Sequence, residues 1–305
     1  MVFTKKDIHV PASVPKSKVE QYVKNYLKAT RKSGNLFLFA GDQRVEHLHD
    51  DFVGPNVSEE DADPKHLFDI ASKSKIGCFA TQLGLLSRYG KSYPKVPYLV
   101  KLNSKSPLVK TSQKDPCSLA WHSIQDVVDF QKTSGLSIVG IGYTVYLGSE
   151  FENEMFREAS QLINEAHKHG LICVLWMYPR GKAVVAEKDP HLIAGACNVA
   201  GCLGADFVKV NYPEPLVGKA IDSLKEAVTA AGRTKLVCAG GSSMDVPKFL
   251  TLLHDQIHIA GAHGTATGRN IHQKSLDEAI SLCNAISSII CENHSVKEAL
   301  ALYKK

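Results

Sequence analysis

The chain has 305 residues, of which 44% are hydrophobic and 22% charged, and its formal net charge at pH 7 is +5. A chain of this length can bury a large core, and it exceeds the usual size of a single domain except for barrels. The modest positive charge is interspersed with acidic residues, which disfavours a nucleic-acid-binding protein, and the sequence contains no apolar run of membrane-spanning length.

Eight cysteines are spread along the chain without a Cys-x-x-Cys pair. Several stand in apolar runs, as Cys173 and Cys238 do, which is typical of small buried residues in a reducing compartment. The first residues show no apolar stretch of signal-peptide length. We therefore expect a cytoplasmic protein that binds neither membranes nor nucleic acid.

The first predicted element is a helix, because Ser17 and Glu20 form a capping-box pattern and apolar residues then recur at helical spacing. Short apolar runs follow and predict eight strands. They are Leu36–Ala40, Ile76–Thr81, Tyr98–Leu102, Ile138–Tyr143, Ile172–Tyr178, Phe207–Tyr212, Leu236–Ala239 and Ile257–Ala262.

Amphipathic segments between these runs predict helices, with glycine or proline at several of their ends. The clearest are Phe151–Lys168, a helix that starts at Asp189-Pro190, Leu216–Ala231 and Ser275–Cys291. A final helix starts with a second capping-box pattern, Ser295 to Glu298.

Strands that alternate with amphipathic helices predict a parallel sheet covered by helices. Eight such units in about 250 residues fit an α/β fold, the (β/α)8 TIM barrel. An open doubly wound sheet is the alternative, but no Gly-x-Gly-x-x-Gly follows the first strand. We expect one domain over residues 1–305, with a helical lead-in at 1–34, the barrel at 35–292 and a C-terminal helix at 293–305. The loop 48–65 is expected to lie over the barrel mouth.

Lys209 stands inside the sixth predicted strand, in the sequence GADFVKVNYPEP. A lysine amine has an ordinary pKa near 10.4, and apolar surroundings lower that pKa. A neutral amine attacks a ketone to form a Schiff base, whose iminium withdraws electrons from the neighbouring carbon. The alternative is a lysine that reaches the rim or pairs with a carboxylate such as Asp42 or Glu214.

The carboxyl ends of barrel strands face the active site, so the residues at these ends are the next candidates. Tyr178 can exchange protons with Schiff-base intermediates, and Trp176, two residues earlier, shares its face and is expected to form an apolar wall. Asp42 follows the first strand and can hold a substrate hydroxyl. The alternatives are a turn-capping aspartate and aromatic residues that only fill the core.

Two glycine-rich segments, after the seventh and eighth predicted strands, predict a phosphate site. They contain Gly240, Gly241 and Ser242 in the first segment, and Gly268 and Arg269 in the second. Glycines expose backbone N–H groups, and an arginine adds a charged contact. Ordinary turns are the alternative.

A metal-dependent reaction is a further alternative, because His47, His49 and Asp50 superficially resemble a ligand run. A zinc ion there would replace the lysine as the electron sink. The segment is polar, however, and His263 is the nearest further candidate ligand. We expect no metal and no organic cofactor.

Taken together, five segments resemble the archaeal-type class I fructose-bisphosphate aldolases. The matching segments are FAGDQRVEH, WMYPRG, GADFVKVNYPEP, AGGSS and TGRNI, in this order over roughly residues 35 to 275. The resemblance implies a metal-independent barrel of glycolysis and gluconeogenesis, which reversibly cleaves fructose 1,6-bisphosphate to dihydroxyacetone phosphate and glyceraldehyde 3-phosphate. It also implies a homo-oligomer, often a decamer.

The resemblance also implies roles for individual residues. Lys209 is the expected Schiff-base lysine, Tyr178 the general acid/base beside Trp176, and Asp42 the contact to substrate hydroxyls. The C1 phosphate is expected at Gly240, Gly241, Gly268 and Arg269. Relatives often have Asp-His-Gly where this chain has Asp42-Gln43-Arg44, and Arg44, Arg180 and Lys182 are candidate contacts of the second phosphate.

Three other functions stay open from the sequence. The first is a related Schiff-base aldolase or transaldolase on another phosphorylated ketose, such as an aminodideoxyheptulosonate synthase. The second is a phosphosugar-binding barrel without turnover, and the third is the metal-dependent aldolase.

Overall fold

The computed structural model describes residues 3–303, so two residues at each end of the expected domain lie outside the described residues. Eight parallel strands form a closed barrel in which each strand pairs with the next. They are β1 (Leu36–Ala40), β2 (Cys78–Thr81), β3 (Tyr98–Lys101), β4 (Ile138–Leu147), β5 (Ile172–Pro179), β6 (Phe207–Val210), β7 (Lys235–Ala239) and β8 (Gly264–Thr267). Because β8 pairs with β1, with Leu38 opposite Ala266, the predicted barrel is confirmed and the open sheet is excluded.

Helices connect the strands and cover the outside of the barrel. They are α1 (Val19–Ala29), α2 (Gln43–Glu46), α3 (Lys65–Lys73), α4 (Leu83–Tyr89), α5 (Ile124–Ser134), α6 (Glu152–Lys168), α7 (Pro190–Leu203), α8 (Ala220–Ala231), α9 (Val246–His258), α10 (Arg269–His272), α11 (Leu276–Glu292) and α12 (Val296–Tyr303). Within residues 3–303, no helix combines the length and the apolar character needed to cross a membrane.

The eighth strand was predicted at the wrong place. Ile257 belongs to the end of α9, and the chain turns at Gly261, whose φ is 81°, before β8 begins at Gly264. Of the apolar residues before the turn, Ile257 and Ala260 are buried beside a helix end rather than in a strand, and Ile259 is exposed. The real strand is Gly-Thr-Ala-Thr, and it needs small residues because a Cβ at Gly264 would lie 1.9 Å from the carbonyl oxygen of Leu36.

Two helix starts agree with their sequence patterns. The Asp189 side chain accepts a hydrogen bond from the backbone N–H of Leu192 at 3.0 Å, as an N-cap does. Ser295 and Glu298 form the reciprocal bonds of a capping box at the start of α12.

Two other predicted starts are wrong. A short 3₁₀ turn, Lys16–Lys18, precedes α1, so Lys18 occupies the N-cap position and no side chain caps the helix. α8 begins at Ala220, four residues later than predicted, and Leu216 and Val217 are exposed. Helical periodicity alone did not fix where these helices begin, because neighbouring turns also carry apolar residues.

Helix α1 closes the amino-terminal end of the barrel. The Tyr22 hydroxyl donates to Asp206 at 2.6 Å, and the other oxygen of this carboxylate accepts from the backbone N–H of Cys173 at 2.7 Å. His167 bonds the same oxygen at 3.1 Å. The strands finish at the opposite, open end of the barrel, where the pocket that contains Lys209 lies.

The loop that follows α2 lies over this open end. Asp61 and His272 are fully buried and 2.6 Å apart, and Phe52 stacks on the His272 ring with centroids 4.7 Å apart. These contacts fix the loop to the segment after β8. The excursion over the barrel mouth that the sequence predicted is therefore present.

Candidate active site

Lys209 enters the barrel from the carboxyl half of β6, and only 5% of the residue is exposed. Its amine has no hydrogen-bond acceptor and no carboxylate oxygen within 4 Å among residues 3–303. Burial lowers the pKa of Lys209, Asp42 and Glu46 act in the opposite direction, and Arg269 lowers the pKa further. The amine is thus a buried, unpaired group directed into a pocket, rather than a rim lysine or half of an ion pair.

Trp176 forms one wall beside this amine. The Lys209 nitrogen lies 5.2 Å from the centroid of the indole ring, and the two residues are direct neighbours in the β5–β6 register. The ring reaches across β4 at Gly142, where a Cβ would lie 2.5 Å from a ring carbon. The indole N–H is buried without a partner in the described chain, so a bound ligand is a natural acceptor for it.

Two carboxylates, Asp42 and Glu46, are near enough to the amine to raise its pKa. Asp42 is buried, makes no capping bond to α2, and has an oxygen without a partner in the described chain. The turn-capping alternative is therefore wrong. Glu46 lines the pocket and lies 3.8 Å from Arg180. A buried carboxylate oxygen without a partner suits a substrate hydroxyl, because leaving it unbonded is costly.

Tyr178 lines the pocket at the end of β5. Burial raises the pKa of its phenol well above the ordinary value, and the charges of Glu46 and Asp42 add to the effect. Tyr146 is its neighbour in the β4–β5 register, and burial raises the pKa of this phenol as well. Tyr178 therefore stays protonated at neutral pH and is suited to donate a proton.

The segments after β7 and β8 lie side by side. Asn270 joins them, since its amide nitrogen donates to the carbonyls of Gly240 at 2.9 Å and Ser242 at 3.1 Å. A Cβ at Gly240 would lie 2.7 Å from the Thr267 hydroxyl, so only glycine allows this approach. In the described chain, the backbone N–H of Gly241 has no acceptor, and its φ of 69° suits glycine. Free amides beside an arginine are the features of a phosphate site.

Arg180 and Arg269 stand at two sides of the pocket entrance. Arg180 forms a two-pronged ion pair with Glu187, with N–O distances of 2.9 to 3.0 Å, and its guanidinium lies over the Tyr178 ring at 5.5 Å. Arg269 lies 3.6 Å from Asp51 of the overlying loop. Both cations can receive an anionic group if these carboxylates move.

These groups surround a pocket of about 130 Å³ at the carboxyl end of the barrel. Its lining contains the predicted residues Lys209, Tyr178, Arg180, Gly240, Gly241, Gly268 and Arg269. Asp42 and Trp176 are not among the residues that line it. A buried lysine amine, a phenol, a carboxylate and a cluster of glycines with an arginine therefore meet at one place.

The family model described as DeoC/LacD family aldolase matches residues 36–274, which is the whole barrel up to the segment after β8. The chain belongs to the DeoC/LacD aldolase family.

Individual relatives agree with this family. A Methanocaldococcus jannaschii protein named fructose-bisphosphate aldolase/6-deoxy-5-ketofructose 1-phosphate synthase is 59% identical over 98% of this chain and 95% of its own length. The solved structure of a Slackia heliotrinireducens fructose-bisphosphate aldolase superposes with a TM-score of 0.96 at 53% identity, over 99% of this chain and 95% of that one.

A second solved structure shows the chemistry in a more distant relative. It is described as an archaeal fructose-1,6-bisphosphate aldolase with its catalytic lysine covalently bound to the carbinolamine intermediate of the substrate. Its TM-score to this chain is 0.76 at 29% identity, covering 88% of this chain and 99% of that one.

Some residues of the aldolase pocket were missed by sequence reasoning. Glu46, Gln43 and Asn211 line the pocket but were not predicted as site residues, and His47 was considered only as a metal ligand. The most important omission is Lys101 in β3, of which 1% is exposed. Its signal in the sequence was the same as that of Lys209, a lysine inside an apolar run.

Besides Asp42 and Trp176, three residues that were predicted to contact the substrate do not line the pocket. Arg44 is turned toward the overlying loop, where it donates to the carbonyls of Asp61 and Ala62 and lies over the Phe52 ring at 4.1 Å. Ser242 is exposed, and its carbonyl is bonded to Asn270. Lys182 does not line the pocket either, and its backbone N–H donates to Asp115.

The residues considered as metal ligands are not gathered at one site. His47 lines the pocket and lies 3.4 Å from Asp51, whereas His263 precedes β8 at the closed end of the barrel. Among residues 3–303, one group has metal-ligand spacing: His167, Cys173 and Asp206. It lies at the closed end too, where its members bond one another and the Cys173 thiol has a pKa raised by burial.

Proposed function

We propose that this protein is a class I fructose-bisphosphate aldolase whose Schiff-base residue is Lys209. The observation that carries the proposal is a buried amine without a partner in the described chain, facing a pocket that also holds a phenol and a phosphate-type cluster. Membership of the aldolase family and the similarity to fructose-bisphosphate aldolases of solved structure support the same reaction.

In the first stage, the ketose binds with its C1 phosphate against the amides of Gly241 and neighbouring residues and the guanidinium of Arg269. Neutral Lys209 attacks the C2 carbonyl and forms a carbinolamine. Tyr178 donates a proton to the carbinolamine oxygen, which leaves as water while the iminium forms. No metal is required, because the iminium itself accepts the electrons of the next step.

In the second stage, a carboxylate removes the proton of the C4 hydroxyl. Asp42 is suited to this role because it is buried and one of its oxygens has no partner in the described chain. The C3–C4 bond breaks, its electrons pass to the iminium and form an enamine, and glyceraldehyde 3-phosphate leaves. Protonation at C3 and hydrolysis then release dihydroxyacetone phosphate and regenerate Lys209. Since the pKa of Tyr178 is raised, we assign it the acid role and give the base role to the carboxylate.

The decisive experiment is reduction with borohydride in the presence of dihydroxyacetone phosphate, followed by mass spectrometry of the tryptic peptides. We expect a stable adduct on the peptide that contains residue 209, and no adduct in Lys209→Met. Lys235→Met is the matched control, because Lys235 is another strand lysine but lies at the closed end near His263. An adduct on a different lysine, or none in the wild type, would refute the assignment.

A second activity is favoured by the 59% identity to the bifunctional M. jannaschii protein. Cleavage of 6-deoxy-5-ketofructose 1-phosphate between C3 and C4 would give dihydroxyacetone phosphate and a three-carbon ketoaldehyde without phosphate. The same lysine and C1-phosphate cluster would serve this reaction in reverse. The test is to incubate the enzyme with fructose 1,6-bisphosphate and methylglyoxal and to look for the deoxyketose phosphate, with Lys209→Met as the control.

We also propose that residues 1–305 form one domain and assemble into a homo-oligomer, with the decamer as the expected form. The apolar side chains of Val185, Leu216 and Val217 are almost fully exposed, which suits burial against another subunit. Light scattering of the purified protein measures the mass, and a monomer at micromolar concentration would contradict the assembly.

A further inference from the structure

A second buried lysine lies close to Lys209. Lys101, near the end of β3, donates to the backbone carbonyl of Asn103 and to its side-chain oxygen, the latter at 3.1 Å. Asn103 is itself held in place, since its amide nitrogen donates to the carbonyls of Ser118 at 2.7 Å and Thr144 at 2.9 Å. The Lys101 ammonium is therefore fixed by two oxygen acceptors, whereas the Lys209 amine has no such acceptor in the described chain.

The indole of Trp176 is the contact that the two lysines share. Each side-chain nitrogen lies 5.2 Å from the centroid of this indole ring, so the two nitrogens are at most about 10 Å apart. The ring can stand between β3 and β6 because the intervening strand β4 has glycine at position 142. The indole ring is apolar, and apolar surroundings screen charges weakly.

The surroundings of the two lysines differ in how strongly they stabilise the charged, ammonium form. Burial, with a smaller contribution from the charge of Lys209, lowers the pKa of Lys101 to about 8, so Lys101 is mostly charged at pH 7. Oxygen acceptors stabilise the ammonium form, which favours the proton on Lys101 rather than on Lys209. The carboxylates of Asp42 and Glu46 act against this, because they favour a proton on both lysines.

We propose that Lys101 is a positioning residue that raises the neutral fraction of Lys209, by holding a positive charge against the same Trp176 ring that Lys209 contacts. The inference rests on the proposed Schiff-base function of Lys209. Without that charge, a smaller fraction of Lys209 would be neutral at pH 7, because the carboxylates of Asp42 and Glu46 stabilise its ammonium form.

Several other charged and titratable groups face Lys209, and they are unchanged in the variants below. They are Asp42 after β1, Glu46 in α2, Tyr146 in β4, Tyr178 and Arg180 at the end of β5, and Arg269 after β8. The effect of Lys101 is thus measured against a constant background.

The expected size follows from Coulomb's law. At about 10 Å and an effective dielectric constant of ~20, removing one positive charge raises the pKa of Lys209 by about one unit. The neutral fraction of Lys209 at a pH well below its pKa then falls about tenfold. At a pH above the pKa of Lys209 in both the wild type and the Lys101 variant, the two proteins should react with dihydroxyacetone phosphate at the same rate.

The experiment measures the pH dependence of borohydride trapping with dihydroxyacetone phosphate in the wild type, Lys101→Met, Lys101→Gln and Lys101→Arg. In the two neutral variants we expect the midpoint of the pH profile to rise by about one unit, with about tenfold slower trapping at pH 7. Lys101→Arg should keep a midpoint close to that of the wild type. Lys235→Met, which removes a strand lysine from the closed end, should not shift the midpoint.

A structural role for Lys101 would give a different result. Loss of packing lowers the trapping rate at every pH and lowers the melting temperature, but it leaves the midpoint in place. The proposal is refuted if both neutral variants keep the wild-type midpoint. If the wild type itself forms no adduct at Lys209, the proposed function fails instead, and an adduct at Lys101 would reverse the roles of the two lysines.

Discussion

Replacing Gly142 with alanine probes the packing that brings Trp176 between the two lysines. An ideal Cβ at this position lies 2.5 Å and 2.8 Å from two carbons of the indole ring and 2.8 Å from a methyl carbon of Leu99. These distances are far shorter than ordinary contacts between carbon atoms, so the ring or the strand has to move. The ring is fully buried and cannot move outward freely.

Two opposing effects set the size of the change in stability. Overpacking in a core costs about 1–3 kcal/mol, whereas replacing glycine by alanine stabilises by ~0.5–1 kcal/mol because the unfolded chain loses freedom. We therefore expect a net loss of about 1–2 kcal/mol in the free energy of unfolding. Since a 1 Å misplacement in an active site can cost about a hundredfold, kcat should fall by at least about tenfold.

Urea denaturation and steady-state cleavage of fructose 1,6-bisphosphate measure the two effects. Gly195→Ala is the matched control, because Gly195 lies within α7 and a Cβ there meets no atom within 4 Å. This control should keep full activity and equal or greater stability. If Gly142→Ala is as stable and as active as Gly195→Ala, then the close approach of Trp176 has no role in the site.

Three further predictions concern the pocket. Burial lowers the pKa of Lys101 from 10.5 to about 8, so the unfolded chain binds more protons than the folded chain between these two pH values. The free energy of unfolding should therefore rise with pH across this window, by up to about 3 kcal/mol. Denaturation series at several pH values should show a smaller rise in Lys101→Met. Arg269→Gln should raise KM for fructose 1,6-bisphosphate about tenfold or more, because a charged contact to phosphate is lost. Arg44→Gln should change KM less than threefold. Equal effects of the two changes on KM would contradict the placement of Arg44 outside the pocket. Tyr178→Phe should lower kcat by ~10²–10⁴-fold with little change in stability, and a variant that keeps wild-type kcat would exclude Tyr178 as the proton donor.

The sequence predicted the barrel and several members of its site because both depend on local patterns. Alternating apolar runs and amphipathic segments identify strands and helices, and strand ends identify the face where Lys209 and Tyr178 lie. The eighth strand was missed for the same reason, since Gly264–Thr267 consists of small and polar residues and carries no apolar run. Its identity as a strand comes from backbone pairing with β1 and β7, which the sequence does not encode locally.

The tertiary structure decided which polar residues act together. The sequence predicted both Arg44 and Lys209 as site residues. In the structure, Arg44 instead donates hydrogen bonds to the carbonyls of Asp61 and Ala62 in the loop over the barrel. Lys101 and Lys209 are more than a hundred positions apart, and they share the Trp176 ring only because β4 carries a glycine where the ring crosses it. The sequence by itself determined the barrel and the buried lysine, because periodicity and residue type are local properties. Which groups surround that lysine, and so its charge, was decided by packing between distant segments.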